Sequence, residues 1–148
     1  MSGDRQVKQV IPFEPAHVLE IVESPNSILQ VFNLASTFHA QGPAFTGVVN
    51  GVMVGCAGVA CYGHIGEAWM LLNSAAQPHA LWLMRTVRGY LADIKRNMHL
   101  HRIQSVVRTD APQHVRVIEL LGFVYEGTLL NYGGPGVAYH MYRYSRQE

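Results

Sequence analysis

The side chain best suited to acid–base chemistry in this sequence is Glu67, the first residue of EAWMLLN (67–73). The apolar residues that follow it predict a strand buried on both faces. A carboxylate in such an apolar setting is expected to have a raised pKa, because burial disfavours the charged form, and it can then accept a proton near neutral pH. The alternative is a glutamate at the start of a strand that faces water.

The cysteines and histidines form no recognisable catalytic or metal-binding pattern. Cys56 and Cys61 lie in one predicted strand, and their odd separation points the two side chains to opposite faces, so reduced thiols are expected. The chain contains 8 histidines, but His99 and His101, which flank one leucine, have no Cys, Asp or Glu nearby to complete a ligand set. The sequence also lacks a Gly-x-Ser-x-Gly elbow, a P-loop and a dinucleotide fingerprint. We therefore expect no metal site.

The composition predicts one compact domain over residues 1–148. Of the 148 residues, 49% are hydrophobic and 14% are charged, a balance typical of globular proteins. A formal net charge of +1 gives no electrostatic reason to expect nucleic acid or a membrane surface as a partner. No apolar run approaches the about 18 residues that a spanning helix needs, and the polar start MSGDRQVKQV is no signal peptide. The expected compartment is the cytoplasm.

The clearest local signal is a β-hairpin in FTGVVNGVMVGCAGVACYG. Asn50-Gly51 lies between two β-branched runs and predicts a two-residue turn that joins strands at 44–49 and 52–62. Gly55 and Gly58 in the second strand indicate a bulge or a place where another backbone approaches closely.

The segment before the hairpin predicts a strand and two helices. QVKQVIPF favours a strand, and Pro15 suits the first turn of a short helix. Ser27 and Gln30 have the spacing of a capping box for a second helix, which Gly42 and Pro43 end. One face of that helix is apolar and carries Ile28, Val31, Ala35 and Phe38.

The segment after the hairpin predicts a strand at 67–73, a long helix at about 79–98 and a strand at 102–108. A last helix follows, with Asp110 as N-cap, Pro112 in its first turn and Gly122 as a left-handed cap. The final strands, FVYEGTLLNY and VAYHMYRYS, are joined by the loop GGPG. The predicted order is thus β-α-α-β-β-β-α-β-α-β-β.

The last helix turns sharply into a strand at LGFVYEG (121–127). This corner, with the succession of hairpin, buried strand, long helix, strand and final hairpin over 44–143, resembles the GNAT superfamily of acyl-CoA-dependent N-acetyltransferases. The compact layout looks closest to small phage-encoded members, including GNAT-like virion proteins of short-tailed phages.

The resemblance implies an α+β fold of α/β/α layers, in which a mixed, mostly antiparallel twisted sheet has a V-shaped splay between central strands 67–73 and 102–108. It implies transfer of an acetyl group from acetyl-CoA to a primary amine of a small molecule or protein. The alternative is a catalytically degenerate GNAT-fold phage virion or binding protein. Expected partners are acetyl-CoA and an amine acceptor, and both a homodimer and assembly with virion proteins are compatible with the sequence.

The resemblance also places the acyl-CoA contacts. Freed backbone groups of Met70, Leu71 and Leu72 would bind the pantetheine arm. The pyrophosphate would lie on backbone amides at the start of the long helix, where the helix dipole favours negative charge. The residues concerned there are Gln77, His79, Ala80, Leu81 and Trp82. Arg85, one turn further on, is either an additional phosphate contact or a solvated arginine.

This loop departs from the pattern of the family. Gln77 matches, but Ala80 and Trp82 occupy positions where the family has small residues, and Pro78 lacks an N–H group. Trp82 either blocks the approach of the cofactor or points sideways into the core.

The catalytic residues follow from the same resemblance. Glu67 corresponds to the strand carboxylate that often serves as the base. The tyrosine that commonly protonates the departing thiolate is replaced by Ile118. Tyr125 is therefore the candidate acid, with Tyr132 and Tyr139 as alternatives, although aromatic residues in the final strands also serve simple sheet packing.

Overall fold

The computed structural model describes residues 6–24 and 28–145. Its strands and helices follow the predicted order. In chain order they are β1 (Lys8–Pro12), a 3₁₀ turn (Pro15–His17), α1 (Val18–Ile21), α2 (Ile28–His39), β2 (Ala44–Val49), β3 (Val52–Tyr62), β4 (Ile65–Leu72), a 3₁₀ helix (Ser74–His79), α3 (Ala80–Asn97), β5 (Arg102–Arg108), α4 (Pro112–Leu120), β6 (Phe123–Leu129) and β7 (Tyr139–Tyr144). Among the described residues, no helix is both long and apolar enough to cross a membrane.

The strands form a seven-stranded sheet in the order β1-β2-β3-β4-β5-β7-β6. β4 and β5 are parallel, whereas β1–β2, β2–β3, β5–β7 and β6–β7 are antiparallel. The prediction of an α+β fold with a mixed, mostly antiparallel sheet is thereby confirmed. The chain divides into two compact units, residues 1–60 with 69–83 (unit 1) and residues 61–68 with 84–148 (unit 2).

The predicted hairpin is present in unit 1. Asn50 and Gly51 have φ angles of 51° and 80°, as a two-residue turn with two left-handed positions requires. The β2–β3 register shifts after Gly47, which pairs with Gly55, whereas the next residue of β2 pairs with Met53. Val54 is thus the extra residue of a bulge, which confirms the irregularity predicted for β3.

Two glycines of β3 allow close approach of neighbouring backbone. A Cβ atom built on Gly55 would lie 2.8 Å from the carbonyl oxygen of Leu71 and 2.6 Å from Cδ2 of Leu72. One built on Gly58 would lie 2.7 Å from the carbonyl oxygen of Pro43. Real side chains do not tolerate such distances, so both positions require glycine.

The core of unit 1 lies under α1 and α2. Its buried residues are Phe13, Val18, Ile21, Ala35, Ala44 and Cys56, with partly buried side chains such as Val31 packed against them. The apolar face predicted for α2 therefore faces this core. The capping box predicted for Ser27 and Gln30 involves residue 27, which lies outside the described residues.

The prediction for β4 was correct in type but wrong in burial. The strand begins at Ile65 rather than at Glu67 and ends at Leu72, and most of its residues are half-buried rather than covered on both faces. An apolar run shows that residues can be buried, and it does not fix how many faces are covered. The long helix also begins one residue later than predicted, at Ala80, after a 3₁₀ helix that the sequence did not indicate.

The last helix of unit 2 is capped differently from the prediction at its start. Pro112 occupies the first turn as expected, but the cap residue is Ala111 and no side chain caps the helix. The carboxylate of Asp110 accepts hydrogen bonds from Nε and Nη2 of Arg108 instead, at 3.0 and 2.9 Å. Asp110 therefore forms an ion pair with Arg108 and does not cap the helix. At the other end, Gly122 has a φ of 95° and forms the predicted left-handed corner.

The close approach at Gly55 predicts a loss of stability when a methyl group is added there. Gly55→Ala should lower the free energy of unfolding by about 1–3 kcal/mol, because the new atom overlaps backbone of β4. Gly89→Ala is the matched control, since nothing lies within 4 Å of its added Cβ and alanine favours a helix interior by up to about 1 kcal/mol. Urea denaturation measures both, and equal stability of the two variants would contradict the assigned contact.

Candidate active site

The parallel pairing of β4 and β5 ends early in both strands. Among the described residues, the two strands pair at Ile65 with Arg102, Gly66 with Ile103 and Glu67 with Gln104. Beyond the last pair, the hydroxyl of Ser105 donates a 2.8 Å hydrogen bond to the carbonyl of Ala68. The carbonyl that follows the last backbone pair is thus bound by a side chain. The last paired residue of β4 is Glu67, the carboxylate that was predicted to act as the base.

In unit 1, the second half of β4 directs alternate backbone groups to opposite sides. The amide of Asn73 donates to the carbonyl of Val54 in β3, and the carbonyl oxygen of Leu71 lies against Gly55 of the same strand. Because backbone groups alternate along a strand, those of Met70 and Leu72 point away from β3. The N–H and C=O groups of two of the three residues predicted to bind the pantetheine arm therefore point away from β3.

The amides that open the 3₁₀ helix after β4 already have partners in unit 1. The carboxylate of Glu23 accepts from the amide of Ser74 at 2.9 Å and from its hydroxyl at 2.6 Å. Asn73 accepts from the amides of Ala75 and Ala76 through its side chain and its carbonyl. The hydrogen bonds from Ser74 lower the pKa of Glu23. An anion at this helix start must therefore find donors further along the chain.

Trp82 points sideways, which is one of the two orientations considered from the sequence. A Cβ atom on Gly47 of β2 would lie 3.6 Å from Cζ3 of the indole, and Nζ of Lys8 lies 5.8 Å from the centre of an indole ring. In the sheet order, β2 is separated from β4 by β3. The indole thus covers β2 at a glycine that leaves room for it.

The other predicted cofactor residues differ in exposure. In unit 1, Gln77 and Ala80 are exposed, His79 is half-buried and Leu81 is 66% exposed. In unit 2, Arg85 is exposed and lines an open groove of about 420 Å³ on α3 together with Arg88, Gly89 and Ala92. Two guanidinium groups thus lie beside a residue without a side chain on this stretch of α3.

Glu67 is half-buried in unit 2, and burial raises its pKa, as the sequence predicted. Two weaker effects act in the opposite direction, a hydrogen bond from Gln104 and the positive charge of Arg102. Nε2 of Gln104 donates to Oε1 of Glu67 at 3.2 Å. The carboxylate is thus held through one oxygen, and its environment favours proton uptake.

The charged residues around this carboxylate were not predicted from the sequence. Nε of Arg102 donates to Oε1 of Gln104 at 2.6 Å, and its Nη groups bond to Glu126, which also accepts from Nε of Arg143 at 2.8 Å. A signal was present, because Arg102 and Gln104 are polar residues two apart in a strand and must share a face. Which strand lies beside that face, however, cannot be read from the spacing.

The tyrosine predicted as an acid is exposed and hydrogen-bonded. Tyr125 is 54% exposed, and its hydroxyl lies 2.7 Å from Oγ1 of Thr128, which in turn lies 3.0 Å from Nδ1 of His140. Ile118, at the position where the family has its tyrosine, is 6% exposed and belongs to the core. The described side chains thus offer a hydroxyl in a short polar chain but none at the usual position.

Cysteine and metal chemistry find little support among the described residues. Cys56 and Cys61 are reduced cysteines, as predicted, and burial raises the pKa of Cys56 to about 12, so this thiol stays protonated at neutral pH. No group of three or more His, Cys, Asp and Glu side chains in residues 6–24 and 28–145 is arranged to hold a metal ion.

Comparison with solved structures identifies the fold. A variant of the spermidine N-acetyltransferase SpeG from Vibrio cholerae matches with a TM-score of 0.68 at 15% identity, over 92% of each chain. A ribosomal-protein alanine acetyltransferase from Vibrio fischeri matches with a TM-score of 0.66 at 18% identity, over 95% of this chain and 96% of the other. An acetyltransferase of the GNAT family from Streptococcus pneumoniae gives a TM-score of 0.63 at 14% identity, over 93% and 98%. No family model and no curated protein sequence matches this chain.

The chain therefore has the fold of the GNAT acetyltransferases, as the LGFVYEG corner predicted. The similarity covers nearly all of each chain, so it concerns the whole arrangement of strands and helices. At these identities the similarity defines the fold.

The double role of Asn73 gives a prediction about the connection from β4 to α3. Its amide nitrogen donates to the carbonyl of Met53 at 2.9 Å, while its oxygen caps the 3₁₀ helix at the amide of Ala75. Asn73→Ala removes both contacts and should cost about 1–2 kcal/mol of unfolding free energy. Asn73→Asp keeps the capping oxygen and should lose less. If chemical denaturation ranks the aspartate variant below the alanine variant, the capping role is wrong.

Proposed function

We propose that this protein is an N-acetyltransferase that uses acetyl-CoA to acetylate a primary amine of a small molecule or a protein. The observation that carries the proposal is the coincidence of Glu67, a half-buried carboxylate with a raised pKa, with the last pair of the β4–β5 ladder. The GNAT fold adds support, because the solved structures that share it are acetyltransferases.

The cofactor contacts proposed in unit 1 use the backbone of β4. Met70 and Leu72 would hydrogen-bond the amides of the pantetheine arm, and Leu71 between them would supply apolar contact. The residues at the start of the helix, Gln77, His79, Ala80, Leu81 and Trp82, remain proposed contacts. The amides that precede this segment, those of Ser74, Ala75 and Ala76, are already bonded, so the proposed contacts begin at Gln77.

In unit 2, Arg85 is the proposed phosphate contact, and Arg88 adds a second positive charge to the same groove. Guanidinium groups bind phosphate oxygens in charge-assisted pairs, which are stronger than neutral hydrogen bonds. The arginines would thus supply charged donors in addition to the amides at the start of the long helix.

The chemistry proposed for the chain's own residues centres on proton transfer. Acetyl-CoA supplies an activated acetyl group as a thioester. Glu67, three residues before Met70 on the same strand, would take a proton from the ammonium form of the acceptor and free its lone pair for attack. The amine nitrogen would then bond to the acetyl carbon while the carbon–sulfur bond breaks. Tyr125, whose hydroxyl lies 2.7 Å from that of Thr128, is the proposed donor of a proton to the thiolate that leaves, and it would regain a proton from the nitrogen of the new amide.

Cofactor binding can be tested without knowing the acceptor. Acetyl-CoA should raise the melting temperature, because a ligand at about 100 times its Kd stabilises the native state by about 2.7 kcal/mol. Arg85→Ala should reduce this shift at a fixed ligand concentration, whereas Arg116→Ala, an exposed arginine on α4, should preserve it. A wild-type protein that shows neither a thermal shift nor calorimetric heat with acetyl-CoA would exclude the transferase and favour a non-catalytic binding or structural role.

Turnover tests Glu67 directly. The acceptor panel should include polyamines and peptides that begin with alanine, since structural neighbours are named for spermidine and for an alanine of a ribosomal protein. Glu67→Gln should retain the acetyl-CoA shift and lower kcat by about 10²–10⁴. In the wild-type protein, kcat/KM should fall as the pH drops through the raised pKa of Glu67, because only the ionised form accepts a proton.

The same variant should be more stable than the wild-type protein at neutral pH. A carboxyl group whose pKa is raised by folding binds protons more tightly in the native state, so its contribution to stability falls as the pH rises from its ordinary pKa through the raised one. Glutamine has no charge to desolvate. A Glu67→Gln protein with full turnover, or one that unfolds more easily at neutral pH, would contradict the role and the environment assigned to Glu67.

A further inference from the structure

We propose that Gln104 is a positioning residue that holds Glu67 in a single orientation, and that Arg102 and Glu126 fix the direction of the Gln104 amide. The inference rests on the base role proposed for Glu67. It gives Gln104, Arg102 and Glu126 of unit 2 a function that was not predicted from the sequence.

Both ends of the Gln104 amide are engaged, and only one orientation satisfies them. Its oxygen faces Nε of Arg102 at 2.6 Å and its nitrogen faces Oε1 of Glu67 at 3.2 Å. A guanidinium group has donors and no acceptor, so the amide oxygen must point to Arg102. A flipped amide would place its oxygen against the carboxylate and its nitrogen against the guanidinium, which are two repulsive contacts.

Arg102 is itself held from the other side. Its Nη1 and Nη2 groups donate to the two carboxylate oxygens of Glu126, which also accepts from Nε of Arg143. These hydrogen bonds lower the pKa of Glu126, so this carboxylate remains ionised while the guanidinium of Arg102 stays in place. Gln104 pairs with Glu67 on β4 and with Arg143 on β7, so the three side chains stand in one row on the same face of the sheet.

This arrangement keeps Glu67 both oriented and basic. Gln104 binds one oxygen of the carboxylate and leaves the other for the proton of the acceptor. A neutral amide lowers the pKa of a carboxylate less than a direct ion pair does, and Glu126 balances the nearby charge of Arg102. On its other side β4 adjoins β3, whose sequence VMVGCAGVACY contains no charged residue. Burial therefore remains the largest influence on the pKa of Glu67.

The test measures the protonation of Glu67 in the full chain without ligand, by following its side-chain carboxyl carbon by NMR as the pH is varied. Gln104→Leu removes the hydrogen bond that favours the ionised form, so the pKa of Glu67 should rise. Glu126→Gln removes a negative charge and leaves Arg102 unbalanced, so the pKa should fall. Opposite shifts from two variants of one network would not result from a merely structural role. Gln113→Leu, an exposed position on α4, is the control and should shift nothing.

Kinetics provide the second measurement. Gln104→Leu should lower kcat about tenfold or more, because a base that is free to rotate is poorly placed, while the acetyl-CoA thermal shift stays at the wild-type value. The acid limb of its pH profile should move to higher pH, and that of Glu126→Gln should move to lower pH.

The two hypotheses fail in different ways. If Glu67→Gln keeps full turnover, the base role is wrong, whereas the NMR titrations still report whether Gln104 and Glu126 control the carboxylate. If Gln104→Leu folds and leaves both the pKa of Glu67 and kcat unchanged, the positioning role is overturned. The same holds if the two variants shift the pKa in the same direction.

Discussion

The end of the parallel ladder between β4 and β5 is the constraint on which the candidate site depends. Within unit 2, the described pairs run from Ile65 with Arg102 to Glu67 with Gln104, and the hydroxyl of Ser105 donates to the carbonyl of the next residue of β4. The same residue pair that closes the ladder therefore places a carboxylate and its hydrogen-bond donor side by side.

The second half of β4 is held in place by small and polar residues of unit 1. Gly55 lets the backbone of β4 approach β3 more closely than a side chain would allow, and Asn73 ties the end of the strand to the carbonyl of Met53. Glu23 then holds the start of the following helix through Ser74. Each contact restrains the same stretch of chain, so the directions of the Met70 and Leu72 backbone groups follow from restraints on their neighbours.

Local patterns predicted most of the fold, because hairpins, helix faces and caps depend on residues close in sequence. The turn at Asn50-Gly51 was predictable because it needs positive φ angles, which these two residue types adopt readily. Glu67 was predictable as a site residue because it is a charged residue beside an apolar run. Predictions failed where a residue had two possible partners. Asp110 could cap a helix or pair with Arg108, and the ion pair formed. The role of Gln104 was out of reach, since it depends on a register between strands with a whole helix between them.

The residues around the start of the long helix explain part of its departure from the family pattern. Glycines in such a loop serve to expose backbone amides to a phosphate, but here Glu23 and Asn73 already accept from the first amides. Those amides belong to Ser74, Ala75 and Ala76, which precede the long helix, and Trp82 packs on Gly47. Arg85 and Arg88 carry positive charge one and two turns into the helix and line one groove. A phosphate contact proposed for such side chains has a spacing set by the helix, so a pattern of loop glycines does not include it.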